Sequence, residues 1–278
     1  MQKKEDNFMT GPLLAQLPMY DWPEISTATD ALWHAIREAL AIRGIPAPHE
    51  LDRSHSAEDA WHSNNLLLSQ TCGLPLVKTL SKQVQVLGCF TYEGITPAGD
   101  YYSVIITRAS CGQDLTNMRG KRTAINGTDS YSGCLALQCA VAPISSDGGY
   151  FSGVKVTGSH RESIRAVVNG SADIAAIDVI SWQLAERFEA GANALKVIAQ
   201  TKSRPSLPLI TSCDKTDTVM ETMRAAIAAA VAALDDNTRE LTGITGFLKL
   251  DDTDYELIED DLRQYGDLNL GPSQDLTL

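Results

Sequence analysis

The chain has 278 residues, 44% hydrophobic and 21% charged, with a net charge of -12. That is long enough for two lobes with a sizeable core and falls within the ordinary globular range. The acidic balance argues against nucleic acid or an anionic membrane surface as partner, and no stretch is apolar for the length of a membrane span.

The start, MQKKEDNFMTGPLLAQLP, has Lys3 and Lys4 but no apolar run of the secretory type. Residues 13–20 (LLAQLPMY) predict a first strand, followed by the loop Tyr20-Asp21-Trp22-Pro23. Leu32, Ala35, Ile36, Ala39 and Leu40 then share one helical face, and Gly44 with Pro46 ends the helix. Trp33 and His34 lie off that stripe and are expected to be partly exposed. Residues 47–65 are polar, and His49, His55 and His62 lack metal-ligand spacing, so they read as surface residues. Leu66-Leu67-Leu68 predicts a buried strand running into Ser69-Gln70-Thr71-Cys72-Gly73 and then a helix over 74–81. Strands are expected at 84–90 and at 101–107 (YYSVIIT).

Residues 120–133, GKRTAINGTDSYSG, form the stretch around which the chain is arranged. Arg122 to Ile125 is a short strand, Asn126-Gly127 turns the chain, and Thr128 to Gly133 runs into a helix over 134–141. A strand ending in a hydroxyl-rich turn at a helix start leaves backbone N–H groups free for an anion. An ordinary N-cap has the same composition.

A strand at 151–157 follows, then Gly158-Ser159-His160-Arg161-Glu162, in which Ser159 and Glu162 fit a capping box. The helix they open stops at Gly170. Residues 172–180 (ADIAAIDVI) predict a buried strand ending at Asp178, and 196–200 a further strand. Residues 207–211 return to the first lobe, and an Ala-rich helix over 218–234 begins with a second capping box, Thr218 and Glu221. The segment 251–261 (DDTDYELIEDD) carries seven acidic residues and no basic ones, and reads as a short helix with a solvated tail. Alternating strands and helices imply an α/β architecture of mostly parallel sheets.

The six cysteines (Cys72, Cys89, Cys111, Cys134, Cys139 and Cys213) contain no CxxC. Neither a zinc site nor a disulfide framework is expected, and they read as small buried thiols. No GxGxxG or P-loop pattern is present, so nucleotide use is not expected.

The stretches LPMYDWPE, LLLSQTCGLPL, AINGTDSYSG and TGSHRESIRAVVNGSADIAAIDVISW, in that order, resemble landmarks of the phosphonate- and phosphate-type substrate-binding proteins of ABC transporters. The resemblance covers residues 13–234. It implies a two-lobed fold of the type II periplasmic-binding-protein kind, each lobe a mostly parallel sheet flanked by helices. Residues 1–106 and 208–278 would form lobe 1, and 107–207 lobe 2. The ligand would lie in the cleft between them, with hinge segments near Thr107 and Ser206.

The resemblance also implies the ligand-binding residues. Ser130, Tyr131 and Ser132 match the hydroxyl-bearing helix start that holds an oxyanion, Tyr131 departing from the Thr often found there, and Thr128 in the same turn is a further candidate ligand contact. His160 matches the His that reaches the same oxyanion, and its charge is expected to change near neutral pH. Asp178 matches the acidic group placed for a ligand amine, with a local capping bond as the alternative. Gln70, Thr71 and Tyr20 match the first lobe's contribution.

The implied function is capture of a small oxyanion, phosphonate or phosphate-like, for an ABC transporter permease. No catalysis, cofactor, metal, nucleic acid or membrane insertion is expected. A monomer is expected in the periplasm or at the outer membrane face, with the cytoplasm as the alternative. A ligand-sensing domain signalling to a separate protein is a second reading. An enzyme is a third, using Ser130 or Ser132 with His160 and Asp178, or Cys72.

Overall fold

The computed structural model describes residues 11–111, 114–145 and 149–274; the segment with Lys3 and Lys4 lies outside them. In chain order the strands are β1 (Leu14–Ala15), β2 (Leu66–Gln70), β3 (Val84–Tyr92), β4 (Asp100–Tyr101), β5 (Ser103–Arg108), β6 (Arg122–Ile125), β7 (Gly153–Val156), β8 (Ile174–Asp178), β9 (Leu195–Gln200), β10 (Arg204–Pro205), β11 (Pro208–Ser212) and β12 (Ile244–Leu248). The helices are α1 (Ser26–Ile42), α2 (Ala57–Trp61), α3 (Gly73–Pro75), α4 (Ala136–Val141), α5 (His160–Val168), α6 (Val179–Phe188), α7 (Asp217–Ala232), α8 (Asp236–Thr242) and α9 (Glu256–Tyr265). A π-helical turn, Leu76–Leu80, prolongs α3, and another, Tyr131–Leu135, opens α4.

The chain divides into two compact units. The first takes the chain up to Thr71, then Thr79–Glu93 and Leu207–Asp252. The second takes Cys72–Lys78, Gly94–Ser206 and the chain from Thr253 onward. This division differs from the 1–106 and 208–278 grouping in three places, the first being the short Cys72–Lys78 segment, which falls in the second unit. Strand β5 belongs to the second unit, because it pairs along its length with both β8 and β9. The acidic segment from Thr253 also belongs to the second unit, because α9 buries Ile258 and Asp261 there.

In the first unit the sheet order is β1-β2-β11-β3-β12. Strand β1 runs parallel to β2, while β11 is antiparallel to β2 and β3, and β12 is antiparallel to β3. Helix α1 packs against α7 and α8. Its buried face therefore widens to include Trp33, which is fully buried rather than marginal; His34 is exposed. Two packing partners demand a broader apolar stripe than one, and Trp33 continues the row Thr29, Ile36, Leu40. The α7 cap is Thr216, whose Oγ1 accepts from Val219 N, and not Thr218. Glu221 instead pairs with Arg224 and Lys249. Asp217 then falls in the first turn, where the helix dipole favours a carboxylate.

In the second unit the order is β7-β6-β8-β5-β9, with a separate antiparallel ribbon of β4 and β10. Strand β6 runs parallel to β7 and β8, whereas β5 is antiparallel to both its neighbours. Both five-stranded sheets are therefore mixed, not mostly parallel. In each, one inner strand (β11 or β5) is reached by a connection with no helical crossover, so nothing imposes parallel pairing on it. The core beneath the second sheet joins Cys134, Leu137 and Val141 to Ile105, Ile125, Val154 and Ile174. The large side chains among these contribute about 1.5–3 kcal/mol each on burial. They seat the helix that begins at Ser130.

Candidate functional site

Strand β6 ends at Ile125, and the chain turns through Asn126 and Gly127 to Ser130. Ser130 caps the following helix, its Oγ accepting from Gly133 N at 3.2 Å. Leu135 N reaches back to the Ser130 carbonyl at 3.2 Å, so the first turn has the wider π spacing. A Cβ on Gly133 would collide with Asn126 Oδ1, which explains glycine at this close approach. Ser103 Oγ, from β5, donates to the Ser132 carbonyl at 2.8 Å and ties the turn to the sheet. Ser130 and Ser132 are both buried, with their Oγ atoms 3.5 Å apart.

A second helix start lies beside the first. Thr157 N and Gly158 N donate to the carbonyls of Ile125 and Asn126, each at 2.9 Å. Ser159 then caps α5, accepting from Glu162 N at 3.1 Å. His160 opens that helix and places Nε2 2.7 Å from Ser132 Oγ. Burial pulls its pKa down to about 4, so the ring is neutral at physiological pH and does not change charge near neutrality. Its Nδ1 is buried with no hydrogen-bond partner among the described residues. Removal from water opposes the charged ring, and no carboxylate bonds Nδ1 to offset that. A neutral imidazole and a serine hydroxyl can each donate or accept, so the pair can turn a donor toward an added acceptor.

Asp178 caps α6, with Oδ1 accepting from Ile180 N at 2.8 Å and Ser181 N at 3.0 Å. Among the described residues no acid bonds His160 Nδ1, so a Ser–His–Asp relay is not assembled there. Thr128 lies exposed in the turn before the cap. The Tyr131 side chain is buried, and its hydroxyl donates to Asp261. Its backbone N–H points to Cys72 Sγ at 3.3 Å. Burial pushes the Cys72 thiol up, which disfavours the thiolate a nucleophile needs.

Tyr20, Gln70 and Thr71 belong to the first unit. Tyr20 meets Tyr92 edge to face at 5.5 Å, and both line a cavity with Gln70 and Phe90. Gln70 Nε2 is buried without a hydrogen-bond partner among the described residues. Thr71 is buried and donates its N–H to the Pro208 carbonyl.

Sequence patterning does not find Ser103, Asp261 or the sulfur acceptor at Cys72. A signal for Asp261 exists: Tyr255, Ile258 and Asp261 repeat every third residue and share the buried face of the C-terminal helix. Ser103 and Cys72 leave no such trace, since their partners are distant in sequence.

Two α/β units with mixed sheets and flanking helices make this the two-lobed type II periplasmic-binding-protein fold. PhnD1 from Prochlorococcus marinus, solved in complex with methylphosphonate, matches with a TM-score of 0.69 and 15% identity over 91% of this chain and 97% of that one. XAC2383 from Xanthomonas citri, bound to chloride ion, matches with a TM-score of 0.68 and 14% identity over 92% and 99%. The binding protein component PA3383 of an ABC phosphonate transporter from Pseudomonas aeruginosa matches with a TM-score of 0.67 and 15% identity over 92% and 88%. At these identities the likeness speaks for the fold. A family model described as ABC transporter, phosphonate, periplasmic substrate-binding protein matches residues 14–255, and the chain belongs to that family. The family is one of transport substrate-binding proteins, not of enzymes. No curated protein sequence matches the chain. No helix among the described residues is long and apolar enough to cross a membrane.

Proposed function

We propose that this chain captures a small tetrahedral oxyanion, a phosphonate or a phosphate-like compound, and delivers it to an ABC transporter permease. The observation that carries the proposal is the buried Ser132 Oγ, 2.7 Å from Nε2 of a neutral His160 and 3.5 Å from Ser130 Oγ, at a helix start. Hydroxyl and imidazole donors at the positive end of a helix hold an anion without long-range steering, which a chain of net charge -12 does not provide. Tyr20, Gln70 and Thr71 are proposed as further ligand contacts. Asp178 is proposed to face a ligand amine, a role compatible with a cap made through Oδ1. The protein would act as a monomer in the periplasm or at the outer membrane face.

A thermal-shift screen tests this, using refolded protein against methylphosphonate, 2-aminoethylphosphonate, phosphite, phosphate and sulfate. A ligand at roughly a thousand times its Kd adds about 4 kcal/mol, several degrees for a chain of this size. A shift with one oxyanion class supports the proposal and names the class. Silence across the panel overturns it.

A further inference from the structure

Asp261 sits at the end of the most acidic stretch of the chain, yet it is only 5% exposed. Arg204 grips both its oxygens, Nε to Oδ2 and Nη2 to Oδ1, each at 2.7 Å. Oδ2 also accepts from the Tyr131 hydroxyl at 2.7 Å. Arg204 opens β10, two residues before Ser206, where the Gly94–Ser206 segment of the second unit ends. Tyr131 is the first residue of the π-helical turn, between Ser130 and Ser132. One carboxylate on α9 therefore joins the turn, the β4–β10 ribbon and the C-terminal helix.

We propose that the Tyr131–Asp261–Arg204 network positions the anion-binding turn, with Asp261 and the Tyr131 hydroxyl as positioning groups that do not touch the ligand. This rests on the oxyanion function proposed above. A π-helical turn is rare and needs tertiary support, and this one has a bond at the residue that separates Ser130 from Ser132. Hydrogen bonds to a charged acceptor are short and strong, so they fix direction as well as distance. Burial and the Asp261 charge keep the Tyr131 phenol protonated, so it always donates. The Tyr131 ring also lies 6.3 Å from that of Tyr101 on β4, which adds a second contact with the ribbon. Buried Ile258 and the Arg204 pair already dock α9 without the Tyr131 hydroxyl. The Tyr131 bond is what couples that pair to the turn, making the spacing of Ser130 and Ser132 depend on the ribbon.

The test compares the full chain with Tyr131→Phe and Asp261→Asn. Amide hydrogen exchange is read without ligand, and the Kd for methylphosphonate by calorimetry. Tyr131→Phe keeps the ring and leaves Arg204 paired with Asp261. It should speed exchange over Tyr131–Leu135 while α9 stays protected, and weaken methylphosphonate by about tenfold. Asp261→Asn should speed exchange in the turn, in β10 and in α9, with a larger loss of affinity. A Tyr131→Phe protein whose turn exchanges and binds as wild type overturns the network's positioning role. So does faster exchange confined to α9. A wild-type protein that binds no oxyanion overturns the function proposed above instead, whatever its exchange pattern.

Discussion

The two helix starts of the second unit, at Ser130 and at Ser159, use the same local chemistry and come to different ends. Each follows a strand of one parallel pair, and each serine accepts the N–H of the third residue on. Ser159 is exposed and its helix opens with ordinary α geometry; Ser130 is buried and its helix opens with a wide π turn. The exposed start supplies a stability cap and one side chain, His160. The buried start gathers Ser132, Ser103 and the His160 ring around it. A serine cap is therefore a local motif, and burial beside a second donor is what distinguishes the start proposed to bind the anion.

Three variants separate these roles. The largest effect is expected for Ser130→Ala with Ser132→Ala, which removes two hydroxyls at the buried start. Methylphosphonate affinity should fall by a hundredfold or more, on the order of 3 kcal/mol for two lost bonds to a charged group. Calorimetry on a folded double variant with undiminished affinity would contradict the assignment.

The second concerns pH. Because the folded His160 pKa of about 4 lies below the ordinary value of 6.5, the unfolded chain takes up the proton first as pH falls. The stability linked to this group is fully present above about pH 6.5 and is lost as pH drops toward 4, about 3 kcal/mol in all. In ligand-free protein, His160→Asn should flatten that part of the denaturant midpoint against pH, and an unchanged profile would place the ring in water. The smallest effect is expected for Ser159→Ala. It should cost about 1 kcal/mol of stability and less than threefold in affinity, about 0.6 kcal/mol. A large affinity loss would mean that the exposed start binds ligand as well.

Much of this is written in local pattern. The strand Arg122–Ile125, the serine at position 159 as a cap, and Gly170 as a stop all follow from propensity and turn chemistry within a few residues. The hydroxyl run at 128–132 and His160 are visible as residue types, and the family landmarks mark them as candidates. Less legible are elements whose partners are far away. Strand β5 looks like any buried β-branched run, and its placement between β8 and β9 appears only once the sheet is assembled. Trp33 lies off a one-sided stripe and becomes core because α1 meets two helices. The C-terminal acidic segment reads as solvated because like charges crowd it, yet its face through Tyr255 and Ile258 buries Asp261 against Arg204.

The α/β class follows from hydrophobic periodicity and capping, which act over one or two turns of chain, and the candidate donors are residue types that the family resemblance marks. The neutrality of His160, the diversion of the Tyr131 hydroxyl to Asp261, and the meeting of Ser132 with His160 across 28 residues follow from neither. Burial and charge pairing depend on which distant segments fold against one another, so those properties arise only when the chain is packed.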